Sequence, residues 1–372
     1  MPLLSSDPRA SARDDKRTSL PAARLVGLGT AVPALRVSQK DVLDFIQRRF
    51  HISDRTRALY EKTLGNHAIA FRHFALDALE EILELDHDRV NDRFQRAAVT
   101  LAARALARAL ENAGVAPAQI DYLAVATCTG YLCPGLAPYL IEACGLRADV
   151  RFGDLVGMGC GAAIPALEHA ANFARTNPGA LTAVVCVEIC SAAMVSNDDV
   201  DIVISNSIFS DGAAAVLLRA DDGNEIPAAP RLDGFASITI PKWRETLRFR
   251  SEKGHLRNVL GKEVPAQSAT AMANVAEHLF PAGAQKTETP DHWLVHAGGE
   301  KILNAISKRL VLPAEALASS RSILQEHGNM SSPTVLFVLE EELRARPPRA
   351  GETGLLVSFG AGFSAHGVRL SF

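Results

Sequence analysis

A turn of small residues opening straight onto a long apolar helix occurs twice in the chain, as GMGCGAAIPALEHA from residue 157 and as HGNMSSPTVLFVLEE from residue 327. Each half also carries a late pair of β-like runs. This repetition predicts two similar halves, joined near DDGNEIPAAPR at residues 221–231, with the active centre between them. In the first half ARLVGLGTAVP reads as strand and turn, SQKDVLDFIQRRF as a helix capped by Ser38, and VNDRFQRAAVTLAARALARALENAG as a long helix stopped by glycine. IDYLAVATCTG, VRFGDLVG, LTAVVCVEIC and AAAVLLRA are short β-like runs, with LAPYLIEACGL a helix after the first of them. In the second half DHWLVHAGG is a strand ending in glycines, EKILNAISKRL a helix, and GLLVSFGAGFSAHGVRLSF a closing pair of strands. Such alternation predicts a layered α/β fold. The expected division is a polar tail over residues 1–21, a first half over 22–225 carrying the cysteine turn, and a second half over 226–372.

The cysteine turn carries the first chemical signal. Gly157, Gly159 and Gly161 surround Cys160 in a tight turn, and Pro165 is tolerable only in the first turn of the helix that follows. Cys160 is then expected at or near a helix N-terminus, where free N–H groups and the helix dipole favour a thiolate over a thiol of ordinary pKa about 8.5. Taken alone, such a cysteine also reads as a small buried hydrophobe. A nucleophilic cysteine needs a base or charge partner and a group that stabilises an oxyanion. His296 ends the apolar strand WLVH and opens onto AGGEK, where strand ends present side chains to a crevice. Asn329, in HGNMSS, stands where a helix is about to begin and reads either as a cap or as a catalytic amide; His327 is the competing histidine.

Composition narrows the class. With 372 residues, 48% hydrophobic and a net charge of −3, the chain can bury a large core and shows no footprint for nucleic acid. The first 21 residues lack the apolar stretch of a signal peptide, and no run approaches the roughly 18 apolar residues of a membrane span, so a cytoplasmic protein is expected. Six cysteines form no C-x-x-C pair, which argues against a zinc cage and for reduced thiols.

Together, GMGCGAAIPAL, WLVHAGGEKIL and EHGNMSSPTVLFVLEE, with ISNSIFSDGAAAVLL and the closing SFGAGFSAHGV, resemble the type III polyketide synthases, the chalcone-synthase-like branch of the thiolase superfamily. The stretches come in the family's order over the chain beyond the tail. The resemblance implies an α/β enzyme with thiolase-like ααβαβα layers, built from two similar halves, acting as a homodimer through Cys-His-Asn catalysis. Carried over, Cys160 is the nucleophile that takes the starter acyl group from CoA. His296 is its partner and, with Asn329, binds the oxyanion formed as malonyl-CoA loses CO2. CoA thioesters are the substrates, and neither a metal nor a redox cofactor is required. Phe209, in SIFSDG, matches the aromatic gatekeeper of the cavity.

The departures from the family pattern fall around the cavity. A second gatekeeper phenylalanine is expected in GHLRNVLGKEVP, where this chain has Asn258; Cys190 stands where plant members carry a threonine; and CTGYLCPG puts Cys128, Thr129 and Cys133 at further cavity positions. Cys133 corresponds to a residue that crosses the dimer interface to touch the partner's site. For CoA, Arg55 and Lys62 resemble the family's basic anchors, with Ala58 where a third would stand; solvated surface charge is the other reading.

Among bacterial members, DRFQRAAVTLAARALARALENAG and CTGYLCPGLAPYL look most like the 3,5-dihydroxyphenylacetyl-CoA synthases of antibiotic pathways. That implies malonyl-CoA as starter and extender, four units in all, with an enoyl-CoA hydratase-like partner available to finish aromatisation. An alkylresorcinol or alkylpyrone synthase using fatty acyl-CoA starters and, from another reaction class, a cysteine thioester hydrolase are the alternatives. A thiolase would need a second catalytic cysteine in the C-terminal half, and none follows Cys190.

Overall fold

The computed structural model describes residues 20–221, 229–281 and 289–372. The expected tail, except for residues 20 and 21, and the expected junction at residue 225 lie outside the described residues. The chain begins with β1 (Ala23–Ala31), β2 (Leu35–Ser38), α1 (Gln39–Arg49), α2 (Asp54–Leu64), β3 (Phe71–Phe74) and the long α3 (His87–Ala113). Next come β4 (Ile120–Thr127), α4 (Leu136–Ala143), β5 (Arg151–Val156), α5 (Ala163–Thr176), β6 (Leu181–Glu188), α6 (Val200–Ile208) and β7 (Gly212–Ala220). The second half has β8 (Arg231–Thr239), β9 (Leu247–Glu252), β10 (His255–Leu260), α7 (Val264–Leu279) and β11 (His292–Val295). It closes with α8 (Glu300–Leu310), α9 (Ala318–His327), α10 (Thr334–Ala345), β12 (Thr353–Gly360) and β13 (Ser364–Ser371).

Local chemistry accounts for the helix ends that the sequence announces. Ser38 accepts from the Asp41 N–H while the Asp41 carboxylate takes the Ser38 N–H, a reciprocal cap that starts α1. Asp86 caps α3 through the Arg89 N–H, and Gly114, at φ 64°, ends it in the left-handed conformation that glycine adopts without strain. Half of the buried stripe of α3 is alanine, Ala98, Ala102, Ala105 and Ala109, which lets the helix lie on β1 at backbone distance. A Cβ on Gly29 would stand 2.4 Å from the Ala109 nitrogen, so this crossing tolerates no side chain there.

Nine strands form one mixed sheet in the order β11-β12-β13-β8-β1-β7-β6-β4-β5. Outward from β1, β7 pairs antiparallel, β6 antiparallel to β7, and β4 parallel to β6. Outward from β8, β13 pairs antiparallel, β12 antiparallel to β13, and β11 parallel to β12. The two half-sheets thus repeat the same pattern, and they meet through a short pairing, Ala23 with Leu232 and Arg24 with Arg231.

The duplicated turn-and-helix units occupy the middle. Helix α5 touches β4, β6 and β7 of one half-sheet and β12 and β13 of the other, while α10 touches β11 and β12 as well as β1 and β7. Helix α3 covers the outer face of the first half-sheet, and α7, with α8 stacked on it, covers the second. Helices thus lie between the two half-sheets and on the outer face of each, a layered α/β arrangement. Both central helices start at the same region of the sheet, and this places the cysteine turn beside the HGNMSS turn. No helix among the described residues is long and apolar enough to cross a membrane.

Candidate active site

The chain leaves β5 at Val156 and makes a single tight turn, Gly159–Gly161, before α5 begins at Ala163. Gly159 has φ 59°, and a Cβ there would stand 3.1 Å from the Ala361 nitrogen, so both backbone conformation and space require glycine. Pro165 falls in the first turn of α5, as expected. The Ser358 hydroxyl donates to the Gly161 carbonyl at 3.2 Å, which ties this turn to β12 of the other half.

Cys160 is held as a neutral thiol. Burial pushes it up to about 12; the nearby Glu188 charge adds to the rise, and the Ser331 hydroxyl, donating to Sγ at 3.2 Å, opposes it. This shift runs against the thiolate that a helix N-terminus favours, and loss of water is its largest cause. Ser331 reaches Sγ from a left-handed backbone, φ 59°, a conformation that costs a non-glycine residue energy and that the surrounding bonds must enforce.

Glu188 was not singled out by sequence reasoning, since at the end of VCVEIC it looks like any polar residue terminating a strand. It is fully buried. One carboxylate oxygen accepts from the Cys128 N–H at 2.9 Å, the Thr129 N–H at 3.1 Å and the Thr129 hydroxyl at 2.9 Å; the other accepts from the Ser332 hydroxyl at 2.6 Å. Burial raises its pKa, and these donors pull the other way. A set made entirely of donors suits the ionised form.

Asn329 connects the remaining parts. Its Oδ1 accepts from the Ser331 N–H at 2.8 Å and its Nδ2 donates to the Gly298 carbonyl at 3.1 Å. Gly298 in turn donates its N–H to the His296 carbonyl at 2.9 Å. The His296 ring is fully buried against Phe359 at 5.1 Å between centroids, and neither ring nitrogen has a hydrogen-bond partner among the described residues. Burial holds the imidazole neutral, with its pKa down to about 3. A buried ring with both nitrogens unpaired is costly, and in a native site such a group calls for a functional explanation. No hydrogen bond joins it to the Cys160 thiol, whose partner among the described residues is Ser331. His327 takes no part here: it stacks on His73 with centroids 5.3 Å apart.

Six of the residues expected from sequence, Cys160, Cys128, Thr129, Cys190, Phe209 and Asn258, line one cavity, together with Ser331 and Phe249, which were not anticipated. Its free volume is about 30 Å³, room for a water or two. Burial raises the thiols of Cys128 and Cys190 well above the ordinary range, so all three cysteines of the cavity are protonated at rest. Thr129 acts mainly through Glu188, and its hydroxyl also accepts from the Ile189 N–H at 2.9 Å. Cys133, next to a cis proline, is exposed and does not line the cavity of its own chain. Arg55 and Lys62 are exposed on α2, make no ion pair among the described residues, and lie outside the cavity lining.

Residues 30–236 match the family model for FAE1/type III polyketide synthase-like proteins, and residues 236–371 match the C-terminal domain of chalcone and stilbene synthases. A 3,5-dihydroxyphenylacetyl-CoA synthase of Streptomyces toyocaensis is 33% identical over 352 residues, covering 92% of this chain and 88% of that protein. An alpha-pyrone synthesis polyketide synthase-like protein of Mycobacterium tuberculosis is 30% identical, covering 93% of this chain and 90% of its own. The crystal structure of 1,3,6,8-tetrahydroxynaphthalene synthase from Streptomyces coelicolor superposes with a TM-score of 0.85 at 27% identity, covering 94% of this chain and 99% of that one.

The electrostatics of the thiol give a signed expectation. The Ser331 hydroxyl donates to Sγ and so favours the thiolate; Ser331→Ala removes that bond and raises the pKa further. Alkylation of Cys160 by iodoacetamide at fixed pH should slow about ten- to hundredfold, the worth of a hydrogen bond to a charged group. In the unsubstituted chain the rate should keep climbing above the ordinary thiol pKa of about 8.5. Unchanged or faster alkylation of Ser331→Ala would contradict this account.

Proposed function

As the chain belongs to the type III polyketide synthases, acyltransferases that form carbon–carbon bonds, we propose that it condenses four malonyl-CoA units on Cys160 and cyclises the chain to 3,5-dihydroxyphenylacetyl-CoA. The observation that carries this reading is the meeting of two turns from opposite halves, with Ser331 of GNMSS donating to the Cys160 thiol. Similarity to the Streptomyces toyocaensis synthase supports the product.

Neutral His296 is fit to accept the thiol proton as Sγ attacks the starter thioester; a new thioester forms and CoA leaves as its thiol. When malonyl-CoA loses CO2, negative charge develops on the thioester oxygen. The second N–H of the Asn329 amide and a His296 N–H stabilise that enolate in a site from which water is largely excluded. The carbanion then attacks the Cys160 thioester and lengthens the chain by two carbons. CoA thioesters supply everything this chemistry needs, without a resident metal or redox group. Phe209 guards the cavity, Arg55 and Lys62 offer unpaired cations to the CoA phosphates, and Ala58 leaves that patch weaker than the family pattern.

A homodimer belongs to the same proposal. Strand β5 is an edge of the nine-stranded sheet and exposes Phe152 and Val156, while Tyr131 projects from the loop that carries Cys133. An open edge with apolar side chains suits pairing with a second copy, which would bring Cys133 toward the partner's cavity. Six free cysteines suit the reducing cytoplasm. The product's formation would be completed by a hydratase-like partner in an antibiotic pathway.

Alpha-pyrone formation from fatty acyl-CoA starters is the second reading, favoured by the Mycobacterium tuberculosis relative. Incubation of pure enzyme with malonyl-CoA alone distinguishes the two. Dihydroxyphenylacetyl product is expected; its absence alongside consumption of long acyl-CoAs would overturn the favoured product. Light scattering should give twice the mass of one chain, and a single-chain mass would refute the dimer.

A further inference from the structure

Strand β1 loses one of its two neighbours early. β8 pairs with it only at Ala23–Leu232 and Arg24–Arg231, and one further bond, from the Leu25 N–H to the Pro230 carbonyl at 2.9 Å, ends the contact. Beyond Leu25 the half-sheets part, and a cleft of about 690 Å³ opens between the C-terminal ends of α3 and α10. Small-molecule sites span about 300–1,000 Å³, so the cleft is of ligand size. It shares no lining residue with the Cys160 cavity. Leu343, which lines it, stands about 14 Å along α10 from Thr334, at about 1.5 Å per residue, and Thr334 is the end that the HGNMSS turn enters.

Two departures from regular structure meet in this cleft. The first is a β-bulge. Leu25 pairs with Leu218 of β7 and Gly27 with Leu217, so Val26, which lines the cleft, is an extra residue left out of the ladder. The second is an uncompensated cation. Arg24 and Arg219 stand directly opposite each other on β1 and β7, and like charges so placed repel. Arg24 is settled: its Nε donates to Asp221 at 2.7 Å and its Nη1 to the Ala229 carbonyl at 3.1 Å. Arg219 is not. Its Nε is buried with no hydrogen-bond partner among the described residues, and its guanidinium makes no ion pair among them. A buried donor without a partner is costly and calls for an explanation.

The other charges of the cleft are already engaged. Glu340 accepts from the Thr30 hydroxyl at 2.7 Å, and Arg344 grips Glu341 with its Nε at 3.1 Å and its Nη2 at 2.7 Å. Between them the walls are largely apolar, from Leu25 and Leu28 on β1, Val115 after α3 and Leu343 on α10. An occupant is therefore asked for two things at once, a negative group for Arg219 and an apolar body for the walls.

We propose that this cleft is a second ligand site, apart from the Cys160 cavity, and that it takes a carboxylic acid with an aromatic or aliphatic body. The planar fork of Arg219 matches a carboxylate, the bulge at Val26 leaves peptide groups open beside it, and the leucine walls cover the body. Inorganic phosphate would satisfy the guanidinium and leave the walls bare. A neutral molecule with the same body would leave the guanidinium unpaired.

Titration calorimetry of the full chain with phenylacetate, octanoate, 2-phenylethanol and inorganic phosphate tests this, with Cys160 first alkylated so that the catalytic cavity is filled. Phenylacetate or octanoate should bind at one per chain, about tenfold or more tighter than phosphate or 2-phenylethanol, the worth of a hydrogen bond to a charged group. Arg219→Gln should weaken the carboxylate about tenfold or more, and Arg219→Lys should restore part of that loss. Leu343→Trp, which fills the apolar part of the cleft from its rim, should weaken it too and keeps the test open should the Arg219 variants fail to fold. No saturable binding by either carboxylate, phosphate binding as tightly as they do, or full carboxylate affinity in Arg219→Gln or in Leu343→Trp would each overturn the proposal. None of these outcomes bears on condensation at Cys160, which the product assay with malonyl-CoA reads separately.

Discussion

A single parallel bridge between Phe209 and Asn329 sets the geometry on which the site depends. It ties the end of α6 in the first half to the HGNMSS turn in the second, and Arg72, buried with no ion pair among the described residues, clamps it from behind. Burial lowers the guanidinium to about 9, with Tyr60 and Asp211 opposing the shift from a distance. Helix-end carbonyls are a natural seat for a cation, so the charge is compensated by the backbone it organises. From this clamp the order propagates outward: Asn329 holds the Ser331 N–H, Ser331 is kept left-handed, and its hydroxyl meets the Cys160 thiol.

The resting site is poised by loss of water. Loss of water pushes the Cys160 thiol up and the His296 imidazole down, and the Glu188 carboxylate adds to the rise at the thiol. A negative charge beside a thiol disfavours premature thiolate, while the serine bond tilts the balance slightly back. Such a site reacts when a thioester arrives to receive the sulfur and the proton has somewhere to go. In the proposed mechanism that destination is His296, whose two ring nitrogens have no hydrogen-bond partner among the described residues.

Much of this was legible in the sequence wherever the signal is local. The long alanine-rich helix, its stop at Gly114, the Ser38 cap and the turn before α5 are each written in a few neighbouring residues. Cys160 and Asn329 stand out for the same reason. Glu188 and Ser331 stayed hidden because their roles arise from contacts between residues 59 to 171 positions apart, which no local pattern records. Of the β9–β10 ribbon only Asn258 is marked, through the family resemblance; LRFRSE and HLRNVL are charged and partly exposed, so no apolar alternation marks the ribbon as a cavity wall. Glycines around a cysteine do not reveal the desolvation that pushes the Cys160 thiol up, against the direction expected of a helix N-terminus.

In the proposed mechanism the two halves divide the labour, with Cys160 carrying the chain and the Asn329–His296 side stabilising the enolate. Release of acetyl-CoA from malonyl-CoA by the Cys160→Ala enzyme, compared with Asn329→Ala, tests it most directly. Cys160→Ala should still decarboxylate malonyl-CoA while making no extended product, whereas Asn329→Ala should lose about 100-fold or more, as removal of an oxyanion donor does. Decarboxylation falling to background in Cys160→Ala but surviving in Asn329→Ala would contradict it.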